Sequence, residues 1–119
     1  MKIDVNSDMG EGFGVYKVCD DEKLMEVVSS ANIACGFHAG DPEMMARMVR
    51  LAKQNGVGVG AHPGLADRLG FGRREIPVDA EEMEQQVLYQ LGALSAIARA
   101  QEVALSHISF HAAMGNMIR

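Results

Sequence analysis

Apolar and polar residues follow two different periods along this chain, and these periods predict strands and helices in turn. Short runs that are apolar throughout, or at every second position, predict four strands at residues 2–6, 31–35, 57–61 and 104–110. Apolar residues spaced three and four apart predict three helices between them, at about residues 21–30, 42–55 and 79–101. Residues 65–78 fit neither period and predict a loop.

Two of the predicted helices have recognisable ends. Asp41 is a typical N-cap, Pro42 is a typical first helical residue, and Asn55-Gly56 predicts where that helix stops. The third helix starts near Asp79, with Glu82 three residues on in an arrangement that resembles a capping box. The order βαβαβαβ favours a parallel sheet with right-handed crossovers. An α/β fold of this kind is either a flavodoxin-like open sheet or part of a β/α barrel. In both folds, functional residues gather at the carboxyl ends of the strands.

Polar side chains follow each predicted strand at the point where it ends. The residues are Asn6, Ser7, Asp8 and Glu11 after the first strand, His38 and Asp41 after the second, His62 after the third, and His111 and Asn116 after the fourth. Three of the four histidines occupy equivalent places, and the remaining one, His107, lies within the fourth predicted strand. A solvated surface would scatter histidines, so this repetition predicts a functional cluster.

Two kinds of chemistry fit that cluster. Imidazole and carboxylate groups are suitable ligands for Zn, Fe or Mn, and the candidate metal ligands are Asp8, His38, His62 and His111. The same groups could instead bind a small acid or amide directly, with His as proton donor and Asp or Glu as base. Sequence spacing does not separate these alternatives, because the ligands would come from four different strands.

Glycines and arginines add a second set of candidates. The glycines around Glu11 do not form a dinucleotide fingerprint or a P-loop, because their spacing differs and no early helix follows. Arg68, Arg73 and Arg74 place three cations in one predicted loop. Arg binds carboxylates in a bidentate fashion, so this loop is either a carboxylate clamp or an ordinary solvated surface.

Composition and charge exclude several classes of protein. The net charge of the 119-residue chain is −5, with acidic and basic residues interspersed, which argues against nucleic acid as a partner. No apolar run approaches the roughly 20 residues needed to span a membrane, and the polar N-terminus does not resemble a signal peptide. Cys19 and Cys35 do not have metal or redox spacing, so we expect free thiols and a cytoplasmic protein.

Five motifs in order along the chain resemble the successive signatures of the LamB/YcsF family. The motifs lie at residues 4–11 (DVNSDMGE), 32–42 (NIACGFHAGDP), 60–64 (GAHPG), 70–74 (GFGRR) and 89–94 (YQLGAL). The resemblance implies an irregular, TIM-like β/α barrel of the glycoside hydrolase/deacetylase type. It also implies ATP-dependent ring opening of the lactam 5-oxoproline to L-glutamate, with ATP as co-substrate and two further subunits as partners.

The resemblance also implies roles for individual residues. Asp8 and Glu11 are candidate acid and base groups, and the three strand-end histidines would polarise the lactam carbonyl or hold a divalent metal. Candidate substrate-binding residues are Asn6, Asp41, Arg73, Arg74 and Asn116. Around the fourth strand end this chain keeps the family's His111, Ala113 and Asn116 but lacks its Lys and Tyr. A different substrate within the family is therefore an alternative.

Length is the second departure from the family pattern. Residues 1–119 form a single predicted β/α domain, about the N-terminal half of a family-length barrel, which needs about eight strands to close. Four strands leave open edges, so this chain is either a fragment of a longer protein or a half that pairs with another half or a second copy. Two further interpretations stay open: a metal-dependent deacetylase or amidohydrolase that needs no ATP, and a non-enzymatic half-barrel that binds a partner.

Overall fold

The computed structural model describes residues 3–12 and 20–118. Strands and helices alternate in the order β1 (Asn6–Met9), α1 (Asp21–Met25), β2 (Ser30–Ala34), α2 (Pro42–Asn55), β3 (Gly58–His62), α3 (Ala80–Ala100), β4 (Leu105–Ile108) and α4 (Ala112–Ile118). The predicted α/β class and the order of the first seven elements are confirmed. Cys19 and the end of the glycine-rich segment lie outside the described residues.

The strands form one parallel sheet in which β1, β2, β3 and β4 lie side by side in chain order. Successive side chains of a strand point to opposite faces. One face is apolar and packs with α2 and α3 into a core that contains Met9, Ile33, Val59, Met48 and Leu94. This burial holds the sheet in register, and it leaves the other face of the sheet free to carry polar residues.

The opposite face of the sheet is polar. Asn6 and Asp8 alternate with the buried Met9 along β1, and they are register partners of Ser30 and Asn32 on β2. Among the described strands, β1 and β4 have one neighbour each, so both are sheet edges as the sequence predicted. In the described part of the chain, no helix is both long and apolar enough to cross a bilayer.

Helix ends follow local sequence signals closely. The Asp41 side chain accepts a hydrogen bond from the Met44 amide at 2.7 Å, and Gly56 ends α2 in the left-handed conformation, at φ 67°. Asp79 caps α3 in the same way, through the Glu82 amide at 2.8 Å. These boundaries were predicted correctly, because a cap depends on only a few consecutive residues.

Several other boundaries were predicted wrongly. β1 begins at Asn6 rather than ending there, because its pairing with Ser30 of β2 starts at that residue. α1 stops at Met25 rather than near Ser30, since residues 26–27 form a turn and the hydroxyl of Ser29, just before β2, donates a hydrogen bond to Asp4 at 2.6 Å. The short helix α4 was not predicted, because its sequence offers no N-cap signal.

Candidate functional site

Four side chains converge at the carboxyl ends of the strands. Glu11 follows β1 after a turn at Gly10, His38 lies in the loop after β2, His62 is the last residue of β3, and His111 precedes α4. One ligand atom from each of the four lies within 4.8 Å of the others. The predicted clustering of the three strand-end histidines is therefore what the fold produces.

The imidazole rings and one phenyl ring pack against each other. His38 and His111 stack with their ring centres 3.7 Å apart and their planes 7° from parallel. His62 meets both rings edge-on, at 5.3 and 5.0 Å, and Phe71 meets the same stack edge-on from the 65–78 loop. This packing restricts the rotation of all three imidazoles, so their nitrogen atoms have defined directions.

Two of the histidines are held in one tautomer by backbone carbonyl groups. Nδ1 of His62 donates to the Ser109 carbonyl at 2.7 Å, and Nε2 of His111 donates to the Phe71 carbonyl at 2.7 Å. In the neutral rings, the remaining nitrogens therefore carry lone pairs. These atoms, Nε2 of His62 and Nδ1 of His111, lie 3.0 Å apart. Carbonyl groups orient metal-binding histidines in the same manner.

The Glu11 carboxylate faces all three rings. Its Oε2 atom lies 2.8 Å from Nε2 of His38, 3.7 Å from Nε2 of His62 and 3.8 Å from Nδ1 of His111. Burial raises the pKa of Glu11 above its ordinary value, although the neighbouring His62 and His111 act in the opposite direction. One carboxylate oxygen and at least two imidazole nitrogens thus point towards a common position.

All three histidines favour the neutral state. Burial lowers the pKa of His38 to about 3, with a further contribution from His111. Burial also lowers the pKa values of His62 and His111. Nδ1 of His38 is buried without a hydrogen-bond partner. In their neutral rings His62 and His111 offer lone pairs to a cation, and His38 does so when its hydrogen lies on Nδ1 rather than on the Nε2 atom that faces Glu11. With that tautomer the group fits a divalent metal, through three nitrogens and one carboxylate oxygen.

Asp8, the carboxylate that the sequence suggested as a metal ligand, lies at the rim of this group. Its side chain is 48% exposed, and its Oδ2 atom lies 3.5 Å from Nε2 of His62. Its Oδ1 atom accepts a hydrogen bond from Asn32 at 3.1 Å. In the four-residue group, Glu11 occupies the position that the sequence assigned to Asp8. Asp8 is left half-exposed beside the cluster, where it could act as a base.

Two glycines provide the space for the histidine stack. A Cβ atom at Gly64 would lie 2.4 Å from Nδ1 of His38, and one at Gly72 would lie 2.6 Å from Cβ of His38. Gly72 also adopts φ 67°, which is unfavourable for other residues. Both glycines belong to motifs identified in the sequence, and the close packing of His38 explains why these positions have no side chain.

Gln90 is a structural residue of the site that sequence reasoning missed. It is fully buried in α3, its Oε1 atom accepts from the Gly64 amide at 3.0 Å, and its Nε2 atom donates to the Gly64 carbonyl at 2.9 Å. The side chain thereby satisfies both backbone groups of the residue that packs against His38. The only sequence feature that included Gln90 was the family motif at residues 89–94, and this motif did not indicate a role for Gln90.

The arginines of the 65–78 loop have different surroundings. Arg74 forms a salt bridge with Asp67 through Nε, at 3.0 Å to both carboxylate oxygens, and through a guanidinium NH₂. The Arg74 guanidinium holds the pKa of Asp67 at about 2. Arg68 donates to the Gly36 carbonyl at 2.7 Å, and the Arg73 guanidinium lies 5.4 Å from the centre of the Phe71 ring. Arg74 and Arg68 therefore stabilise the loop.

The other predicted substrate-binding residues are dispersed. Asn6 accepts a hydrogen bond from Asn32 at 3.2 Å and lies on the polar face of the sheet near Asp8. Asp41 caps α2 and Asn116 is exposed on α4. The fold thus places Asn6 in the same hydrogen-bonded group as Asp8, while Asp41 has a structural role in the helix.

Comparison with known proteins gives consistent matches along this chain. The LamB/YcsF family matches residues 3–119. A 5-oxoprolinase subunit of Agrobacterium fabrum is 73% identical over 118 residues, which is 99% of this chain and 46% of the relative. The corresponding 5-oxoprolinase subunit of Pectobacterium atrosepticum is 70% identical over the same shares of the two chains. The chain therefore spans about half the length of these curated relatives.

A solved structure shows the same fold. The crystal structure of the lactam utilization protein from Thermus thermophilus superimposes with a TM-score of 0.92 at 50% sequence identity, covering 95% of this chain and 46% of that one. The parallel β/α repeats described above thus correspond to part of that protein. The motifs, the fold and the match over residues 3–119 together show that this chain belongs to the LamB/YcsF family.

Proposed function

We propose that this chain supplies the hydrolytic site of a 5-oxoprolinase, in which the lactam of 5-oxoproline is opened to L-glutamate. The observation that carries the proposal is the convergence of Glu11 Oε2, His62 Nε2 and His111 Nδ1 at the strand ends, with both imidazole tautomers fixed by backbone carbonyls. The names of the relatives, 5-oxoprolinase subunits and a lactam utilization protein, support a cyclic amide as substrate.

The cluster is also proposed to bind a divalent metal through Glu11, His38, His62 and His111. A divalent ion bound there would act as a Lewis acid that polarises the amide carbonyl. Asp8, half-exposed and 3.5 Å from His62, is proposed to accept the proton of an attacking water.

ATP and two further subunits belong to the same proposal. A lactam is a stable amide, so ring opening requires activation, and ATP can supply it by phosphorylating the amide oxygen. Arg73, whose guanidinium lies beside Phe71 near the cluster, is proposed to contact the substrate carboxylate or a phosphate group. A cytoplasmic location is also proposed, and the buried free thiol of Cys35 agrees with it.

The test is glutamate release from 5-oxoproline by the chain with ATP and the two partner subunits, with metal content measured on the same preparations. We expect His62→Ala to abolish release and Asp8→Asn to lower it by about 10²- to 10⁴-fold, leaving a measurable residual rate. Glu81→Gln changes an exposed carboxylate in the first turn of α3 to an amide and serves as the matched control for Asp8→Asn. Unchanged release by His62→Ala and Asp8→Asn would refute the proposed site.

A metal-dependent amidohydrolase or deacetylase that needs no ATP is the second candidate. The observation in its favour is that the proposed ligands and the proposed base are assembled within this chain alone. Omission of ATP separates the two candidates, because only the second predicts metal-dependent turnover without nucleotide. A dimer formed through the open edges of β1 and β4, with neither metal nor turnover, would instead indicate an interaction protein.

A further inference from the structure

Four residues form one row across the polar face of the sheet. Asp8 of β1 is the register partner of Asn32 on β2, which pairs with Gly60 on β3, which in turn pairs with His107 on β4. Asn32 is buried, with 4% of its surface exposed. The row ends at the half-exposed Asp8, whose Oδ2 atom lies 3.5 Å from Nε2 of His62 in the cluster. Asn32 and His107 are not among the proposed metal ligands or acid and base groups.

Asn32 is the centre of a hydrogen-bond chain along this row. Its Nδ2 atom donates to Asp8 Oδ1 at 3.1 Å and to Asn6 Oδ1 at 3.2 Å. Its Oδ1 atom accepts from Nε2 of His107 at 2.6 Å. Because two acceptor oxygens face Nδ2, the amide cannot be reversed without placing oxygen against the Asp8 carboxylate. His107 must therefore carry a hydrogen on Nε2.

His107 reaches Asn32 by crossing an entire strand. The intervening residue on β3 is Gly60, and a Cβ atom there would lie 2.1 Å from Nε2 of the His107 ring. The absence of a side chain at residue 60 is therefore what lets a residue of β4 donate to a residue of β2. The other nitrogen of the ring, Nδ1, lies 2.8 Å from the Ser106 hydroxyl. Both ring nitrogens thus have partners.

The hydrogen-bond chain ends at the Asp8 carboxylate. A carboxylate that is 48% exposed would ordinarily sample several rotamers, and here one oxygen is bound by Asn32 while the other faces His62 at 3.5 Å. We propose that Asn32 and His107 are positioning residues, which hold the Asp8 carboxylate in the orientation needed for it to accept a proton at the cluster. The inference rests on the role of Asp8 in the proposed function.

The kinetic test is a double-mutant cycle in the complete 5-oxoprolinase with its partner subunits. We expect Asn32→Ala to lower kcat by about 10- to 100-fold with little change in KM, since misplacing a reacting group costs up to about that factor. In an Asp8→Asn background the same change should have almost no further effect. An equal loss of kcat in both backgrounds overturns the inference, because Asn32 would then not act through Asp8.

Two substitutions of His107 test whether the hydrogen bond that its Nε2 atom donates to Asn32 is needed. A Gln side chain can place an N–H where Nε2 of His107 lies, whereas Leu cannot donate at all. We expect His107→Gln to keep most of the wild-type kcat and His107→Leu to lower it to the level of Asn32→Ala. Equal activity of the Gln and Leu variants overturns the role of the donor. Thermal unfolding of each variant identifies any loss that is due to misfolding.

A spectroscopic measurement separates this inference from the proposed function. Imidazole ¹⁵N NMR of the chain should show His107 with its hydrogen on Nε2 in the wild type, and a mixture of tautomers in Asn32→Ala. A hydrogen on Nδ1 alone in the wild type overturns the inference whatever the kinetics. If Asp8→Asn turns over at the wild-type rate, the base role of Asp8 fails, and the tautomer of His107 supports the hydrogen-bonded row by itself.

Discussion

Nε2 of His62 lies 3.0 Å from Nδ1 of His111, and in each ring the other nitrogen donates to a backbone carbonyl. In the neutral rings two lone pairs therefore face each other across a hydrogen-bond distance. Such a contact is unfavourable unless a proton or a cation lies between or beside the two atoms. Glu11 Oε2 lies 3.7 and 3.8 Å from the same two atoms, and this arrangement supports the cation that we propose to bind here.

The first prediction concerns metal binding by the isolated chain. After treatment with EDTA, the chain should take up about one equivalent of Zn²⁺, Mn²⁺ or Co²⁺, and His62→Ala should weaken binding by at least about 10-fold. His107→Ala is the matched control, since it removes the histidine outside the cluster and should leave the stoichiometry unchanged. Isothermal titration calorimetry measures both. Equal affinity of His62→Ala and His107→Ala would contradict the assignment of the ligands.

The second prediction compares two glycines. Gly64→Ala places a Cβ atom 2.4 Å from Nδ1 of His38, so we expect a displaced ring, weakened metal binding and a loss of about 1–3 kcal/mol in the free energy of unfolding. Gly92 lies inside α3, and an added methyl group there would have nothing within 4 Å, so Gly92→Ala should stabilise the chain by about 0.5–1 kcal/mol. Urea unfolding measures both changes, and similar values for the two variants would argue against the close packing at Gly64.

The third prediction concerns Gln90. Gln90→Leu keeps the side-chain volume roughly constant but leaves the amide and carbonyl of Gly64 without their partners. We expect a loss of roughly 1–3 kcal/mol for each buried group that stays unpaired. Gln85→Leu, at an exposed position of the same helix, should change the free energy of unfolding by less than about 0.5 kcal/mol. Chemical denaturation of the two variants tests the difference.

The fourth prediction concerns pH. The pKa of His38 is about 3 in the folded chain against an ordinary 6.5, so between these values the unfolded chain binds more protons than the folded one. The free energy of unfolding of the metal-free chain should therefore fall as the pH is lowered through this window, by at most about 1.4 kcal/mol per unit for this group. His62 and His111 act in the same direction, whereas the raised pKa of Glu11 opposes them.

Urea unfolding at a series of pH values from 7.5 to about 4 checks this slope. His38→Gln removes this titrating group and should make the dependence of stability on pH shallower. A stability that stays constant below about pH 6.5 would show that His38 is already protonated in the folded chain.

The fifth prediction separates two neighbouring arginines. Arg74 binds Asp67, and the Asp67 carboxylate accepts from the Gly70 amide at 2.9 Å, so this pair shapes the turn that presents the Phe71 carbonyl to His111. Arg74→Gln should therefore weaken metal binding indirectly, since Arg74 is not one of the proposed ligands. Arg73→Gln should leave metal binding unchanged and, if Arg73 contacts substrate, raise KM. Calorimetry measures metal binding by the two variants, and steady-state kinetics measures their KM values. Weaker metal binding in Arg73→Gln alone would contradict the structural role given to Arg74.

Some features of the site could be predicted from sequence because they depend on short segments. The ends of α2 follow from Asp41 and Gly56, and the placement of His38, His62 and His111 at or after the ends of strands follows from the repeat of strand and helix. Other features of the site could not be predicted from short segments. Glu11 rather than Asp8 joins the histidines because of the turn at Gly10, where φ is 67°, and no spacing rule contains that angle.

The sequence by itself determined the alternation of strands and helices, the parallel sheet, the residues at the strand ends and the family, because each of these depends on local periodicity or on motifs. Only the tertiary structure decided which atoms meet. The tautomers of His62 and His111 depend on carbonyl groups 47 and 40 residues away, and His107 reaches Asn32, 75 residues away, only because residue 60 lies between them in the sheet and has no side chain. Such contacts arise from strand register, which the packing of the whole sheet against its helices sets.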